Sequence, residues 1–300
     1  MVEMRSGVCL RGETGNPEHT VLNGELYQGK IVVGINLDDA TRIEGLTLMG
    51  GHAVGGVQPN GGALHMWGSS IQLEDCIFSR SIASGRGGAV SCWYGSPTFL
   101  RCAFLDSEAY HGGGGLFCHT SAPILRECIF AGNWAGTCYF AAITSHFSTP
   151  EIDQCTFSGN TSGICCCEYS GMALTNCIIA FSSEGSAFGC AIGSWATLTC
   201  CDLYGNADGD WVDDDIVEQY GNNGNIALDP MFCDDCPDLQ SCSPCWQPDG
   251  CGQIGARGVG CVCGGGPSMV ERESWSSVKG RYRQRNVRSL EHLDTSRGDS

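Results

Sequence analysis

The sequence predicts an all-β fold, a parallel β-helix solenoid of about eight coils closed by a cysteine-rich C-terminal cap. Three observations carry that reading. A short phrase, Cys followed two residues later by Phe or an aliphatic residue, recurs at Cys76, Cys102, Cys128, Cys155, Cys177 and Cys201, with Leu46 as an earlier copy. The steps between these origins are 30, 26, 26, 27, 22 and 24 residues, the size of period that marks stacked repeats. No helical stretch separates the copies, so parallel strands joined by loops must stack directly on one another.

The strands follow from fixed offsets. Three residues before each origin stand Ile43, Leu73, Phe99, Leu125, Ile152, Leu174 and Leu198; two after it stand Leu48, Phe78, Phe104, Phe130, Phe157, Ile179 and Leu203. All are apolar, and the same offset in every copy means in-register stacking. An upstream strand has Met66, Cys92, Cys118, Ser145, Cys167 and Ala191 ten before the origin, and Leu64, Val90, Leu116, Ile143, Cys165 and Gly189 twelve before it. Both positions are expected to point inward. The doublets Gly61-Gly62, Gly87-Gly88 and Gly113-Gly114 suit sharp corners ahead of three of these strands.

Residues 1–206 are therefore read as the solenoid, with an N-terminal cap and any export signal expected upstream of Met1. Residues 207–262 are read as the last coil and cap, and 263–300 as a flexible polar tail. The tail carries seven basic and five acidic groups, leaving nine basic and 28 acidic in the body, a net of −19 within the chain's −17. Such a body repels nucleic acid and anionic lipid. No apolar run reaches the length of a transmembrane helix.

Stacked cysteines in register are about 4.8 Å apart with parallel side chains, beyond ordinary disulfide reach between Cβ atoms, so buried thiols are expected. In Cys165-Cys166-Cys167, alternation predicts an outward Cys166, the array thiol to test for reactivity. The pairs Cys233/Cys236 and Cys242/Cys245 lie only five residues apart, too close for a zinc ribbon. Disulfides among Cys233, Cys236, Cys242, Cys245, Cys251, Cys261 and Cys263 are the expected reading, and seven leaves one to be free or to pair elsewhere.

Nine residues before the origins stand Trp67, Trp93, His119, His146 and Glu168. Position ten pointing inward puts these outward, as a ring stripe with rungs about 4.8 Å apart, close to the length of one sugar in an extended glycan. Trp67, Trp93, His119 and His146 are the ligand-binding candidates, with a purely structural ladder as the alternative. His119, His146 and Glu168 are the catalytic candidates, although no assembled catalytic set is visible. Asp75, Arg101 and Glu127 share one register and read as a charge ladder. Asp208, Asp210, Asp213, Asp214 and Asp215 are calcium candidates by ligand type; their spacing is not the EF-hand pattern. No other cofactor is expected.

Gly-Gly-Ala-aliphatic at Gly61 to Leu64 and Gly87 to Val90, and Phe-x-x-Asn at Phe130 to Asn133 and Phe157 to Asn160, resemble the repeats of polymorphic outer-membrane proteins. More broadly, residues 5–262 resemble bacterial right-handed parallel β-helix proteins of the pectate-lyase-like superfamily. Asp229-Pro230-Met231-Phe232, Ser243-Pro244-Cys245 and Ile254-Gly255-Ala256 are similar to closing segments of such proteins. The resemblance implies a right-handed coil on the cell surface or outside the cell. It also implies a structural or binding role, with polysaccharide or cell-envelope glycan as partner, or else a lyase or hydrolase of carbohydrate.

Overall fold

A computed structural model of the chain describes residues 1–263 apart from 57, 137–140, 192 and 235; the polar tail, Cys263 excepted, lies outside the described residues. Each coil supplies three short strands, and like strands stack in parallel into three sheets of eight strands. The first sheet holds Val2–Glu3, Val32–Ile35, Leu64–Trp67, Val90–Trp93, Leu116–His119, Ile143–His146, Ile164–Cys167 and Phe188–Cys190. The second runs from Cys9–Arg11 to Trp195–Thr199, and the third from Val21–Asn23 to Asp202–Tyr204. A four-strand ladder, His52–Ala53 to Trp134–Ala135, follows the third sheet around the corner. The only helical turn among the described residues is the 3₁₀ turn Val217–Gln219.

The Cys-x-Phe phrase marks the corner between the second and third sheets. The residue before each cysteine is left-handed, with φ of 48–53° at Asp75, Arg101, Glu127, Gln154, Asn176 and Cys200, and 59° at Gly45. One such residue bends the strand and turns the next side chain inward. Each thiol then donates to the carbonyl two residues back, at 3.2–3.5 Å. Each of these carbonyls already accepts a backbone N–H from the preceding coil, so the thiol adds a second, weak bond while filling the corner as a small apolar group. All six are buried thiols without a disulfide. Behind them Phe78, Phe104, Phe130 and Phe157 stack with centroids 5.1, 4.3 and 4.8 Å apart. Each buried ring contributes roughly 1.5–3 kcal/mol of transfer free energy.

The structure corrects one stretch of the expected register. His146 lies opposite Cys167, and Ser145 opposite Cys166. In this coil and the next, six residues rather than five separate the end of the first strand from the second-sheet position, since Cys167 precedes Ala173 where His146 precedes Glu151. One extra residue in the turn shifts every position counted back from Cys177 by one, and in a strand that exchanges the two faces. Cys166 therefore points inward: it is fully buried in the main core, with Ser145 Oγ 3.7 Å from its sulfur. Cys165 and Cys167 take the outer face, and Ile164 and Phe188 fill the inner position assigned to Cys165 and Gly189.

Beyond Tyr204, Trp211 and Ile216 join the main core at the open end, and Ile226 bridges to Asp202 on the last third-sheet strand. The chain then folds back along the outer face of the third sheet. Leu239, Cys245 and Ile254 pack on Ile178 and Ala180, and Ala256 reaches Ile77, Ala103, Leu105 and Ile129. Disulfides join Cys200–Cys251, Cys233–Cys261 and Cys242–Cys263, with Cα atoms 5.7–6.0 Å apart. Cys251 thus pairs outside the segment, fastening it to the solenoid. Cys245 remains a buried thiol, 3.1 Å from Asp202 Oδ2, where desolvation raises the Asp202 carboxyl to about 6.

Candidate functional site

The outer face of the first sheet is where chemistry-bearing side chains gather. Its first outward column, His65, Ser91, Phe117, Thr144 and Cys165, is sealed from solvent. His65 Nδ1 lies 2.7 Å from Ser91 Oγ, and burial followed by the charge of Lys30 lowers its pKa to about 4. Arg86 sits over the Phe117 ring, 4.9 Å from its centroid. The face opens only toward the ends of its strands.

There Trp67, Trp93, His119 and His146 stand opposite one another in successive strands. Their rings are near-parallel, with centroids 5.9, 4.5 and 6.5 Å apart. The two tryptophans and His119 are half-buried, and desolvation lowers the His119 pKa. His146 is only 3% exposed. Glu168 is not the next member of this column, because Cys167 occupies that place. It stands instead on the following turn and reaches back to bring Oε2 within 2.9 Å of His146 Nδ1.

A second group of rings, unanticipated from the repeat offsets, lies just beyond the strand ends: Tyr94 and Phe147 one residue further along, and Tyr169 two residues past Cys167. Tyr94, Phe147 and Tyr169 are 47%, 48% and 70% exposed. Tyr94 meets the Trp67 ring edge-on at 4.8 Å and His119 at 5.7 Å, while Phe147 meets His119 edge-on at 5.8 Å and stacks on Tyr169 at 6.3 Å. All three occupy the left-handed region, with φ of 56°, 48° and 60°. Gly68, at the equivalent turn of an earlier coil, has φ 60°. Glycine is what such a turn prefers, so an aromatic residue there is held against a local penalty of about 1–2 kcal/mol. The signal in the sequence was an aromatic residue directly after the strand at Tyr94 and Phe147, where Gly68 stands in an earlier copy.

Tyr94 and Phe147 also wall an open groove of about 500 Å³ whose remaining lining is Ser70, Gly95, Ser96, Thr120, Ser121, Ala122 and Thr149. Rings beside hydroxyls suit a ligand with apolar faces and many hydroxyl groups. Among the described residues, the groove lining holds no carboxylate pair. Asp75 and Arg101 lie elsewhere, joined through Arg101 Nε and Nη2 to both Asp75 oxygens at 2.8 Å, with Glu74 also on Arg101. That pairing raises the Arg101 pKa, the Asp75 hydrogen bond contributing most.

The acidic loop does not assemble as an oxygen cage. Asp210 accepts from the Gly205 and Asn206 backbone N–H groups, and Asp213 from those of Cys190 and Asp215. Asp208 and Asp214 are exposed. Asp213, Asp215 and Cys190 do converge, with ligand atoms within 4.8 Å of one another. Two carboxylates and a thiol fall short of the six to eight oxygens calcium takes.

These features define a class: a parallel β-solenoid whose one open face displays rings beside a hydroxyl-lined groove. The chain belongs to the right-handed beta helix family, whose model, described as a right handed beta helix region, matches residues 61–215, just over half of it. No curated protein and no solved structure matches the chain significantly. The fold and family support a structural or binding role, or an enzyme of the same architecture, at the level of the family.

Proposed function

We propose that this β-helix is an exported or cell-surface protein that binds an extended polysaccharide along the open end of its first sheet. The observation that carries the reading is the retention of Tyr94 and Phe147 as exposed rings on left-handed turns beside the groove. Other coils carry Asn36, Gly68, Thr120 and Glu168 at the same turn, so the turn itself does not call for an aromatic residue. Tyr94 and Phe147 stand two coils apart with Thr120 between them, and at about 4.8 Å per coil this spaces the exposed rings by about 9.6 Å, close to two sugars of an extended chain. Ring faces take the apolar faces of sugars, and Ser70, Ser96, Thr120 and Thr149 offer hydroxyls to theirs. The half-buried Trp67, Trp93 and His119 brace the exposed rings from behind. Export is supported by the three disulfides of the C-terminal segment, which persist in oxidising compartments.

The test is a screen of neutral and uronic-acid polysaccharides for retention of the protein in polymer-containing native gels, with chain length of each polymer followed in parallel. Retention by at least one polymer without shortening is the expected outcome. Shortening of any polymer would establish the lyase or hydrolase reading, and absence of retention by all would remove the binding reading.

A further inference from the structure

Cys165 and Cys167 lie on the outer face of one strand with sulfurs 3.1 Å apart. Cys167 stands opposite His146 in the preceding strand, and the His146 imidazole is 2.9 Å from the Glu168 carboxylate. The thiol, imidazole and carboxylate are thus neighbours, the three groups from which a nucleophile, its base and the group that orients the base are built. Cys167 is fully buried and Cys165 is 9% exposed, so no polymer reaches either sulfur. A reagent acting here must be about the size of a water molecule. The ladder thiols, by contrast, donate to backbone carbonyls and face no imidazole.

We propose that Cys165 and Cys167 form a peroxide-oxidisable dithiol site, in which His146, held by Glu168, takes the Cys167 proton and a Cys165–Cys167 disulfide is the product. The Cys167 thiolate attacks one oxygen of hydrogen peroxide. The O–O bond breaks, an S–O bond forms, and the leaving hydroxide receives the proton from the imidazolium, giving water and a Cys167 sulfenic acid. The Cys165 sulfur, giving up its proton, then attacks the Cys167 sulfur and expels the hydroxyl as a second water. Two electrons and two protons leave the dithiol, and one peroxide becomes two waters. Residues i and i+2 of a strand have Cα atoms roughly 6.4–6.8 Å apart, the upper edge of the disulfide range, so the product is strained and readily reduced again. The facing groups agree with the assignment. The Cys165 hydrogen bond, and then the His146 imidazole, bring Cys167 down to about 6 against the opposing effects of burial and of Glu168. Cys190 on the next strand is shifted up, chiefly by its bond to Cys166, and stays protonated. This site is independent of glycan binding.

The whole protein, mildly reduced and desalted, is treated with one equivalent of hydrogen peroxide and its thiols are mapped by alkylation, proteolysis and mass spectrometry. Cys9, exposed but shifted upward by burial and then by Glu44, serves as an internal reference. The peptide containing residues 165–167 is expected to lose two hydrogens at least about tenfold faster than Cys9 reacts, because the thiolate is the reactive form. In Cys165→Ala, a sulfenic acid on Cys167 is expected to be trapped when the peroxide-treated protein is unfolded in denaturant containing a cyclic 1,3-dione, since the folded protein admits only the peroxide. In His146→Gln, oxidation is expected to slow by about tenfold, the lower end of the gain from a positioned base. Oxidation of Cys9 before the 165–167 peptide in the unmutated protein, or dione capture on Cys166, overturns the proposal.

Discussion

Replacing Tyr94 and Phe147 together by glycine separates ring display from folding. At φ of 56° and 48°, each residue carries a left-handed penalty of about 1–2 kcal/mol that glycine relieves. Glycine returns about 0.5–1 kcal/mol of this through the greater freedom of the unfolded chain. The substitution also removes edge-on ring packing, at 4.8 and 5.7 Å for Tyr94 and 5.8 Å for Phe147. These rings are half-exposed, so that packing is worth about 1 kcal/mol at each site. The terms nearly cancel, and urea unfolding is expected to change by no more than about 1 kcal/mol. Stacking on a bound sugar, taken at about 0.5–1.5 kcal/mol per ring, disappears from both sites. Affinity for the polymer identified by native-gel retention is then expected to fall about 5- to 150-fold. The reasoning is refuted if unfolding stability drops by more than about 3 kcal/mol while affinity is unchanged, for then the rings are keystones of the fold.

Three further outcomes follow from the core and the C-terminal segment. Asp202 has its pKa raised to about 6 by desolvation, so the stability it contributes is intact below the unfolded value and lost as pH rises through about 6. Asp202→Asn is therefore expected to match the unmutated protein below pH about 4 and to exceed it by about 2–3 kcal/mol at pH about 7.5, as read from urea midpoints at the two pH values. Phe104→Ala removes the middle of the ring stack and is expected to cost about 3–5 kcal/mol in the same assay, with Phe104→Leu clearly milder. Replacing both Cys200 and Cys251 by serine opens a link across 51 residues, which chain entropy values at about 4 kcal/mol. A lower melting temperature and faster proteolysis within 228–258 would report it.

The inner wall of this protein was legible because one coil is one period. Ile43, Leu73 and Phe99 recur at one offset, and Leu48, Phe78 and Phe104 at another, so reading each copy from the same cysteine assigns sheet, face and neighbour together. The column Trp67, Trp93, His119 and His146 could be read the same way, since the turn after each of these strands has the same length.

What the sequence determined alone is therefore everything that depends on repetition: a parallel solenoid, its buried thiol and phenylalanine ladders, and the column on which four rings align. What tertiary structure decided depends on single insertions and on packing between distant segments. One extra residue after Cys167 turned Cys166 into the core and brought Cys165 and Cys167 out beside His146. A strand has a period of two, so a one-residue change that barely alters the repeat length exchanges its faces. Left-handed turns lifted Tyr94 and Phe147 into solvent, while the outward-facing His65 and Phe117 are buried, Phe117 beneath Arg86, because exposure is set by what lies across the surface rather than by alternation along the strand.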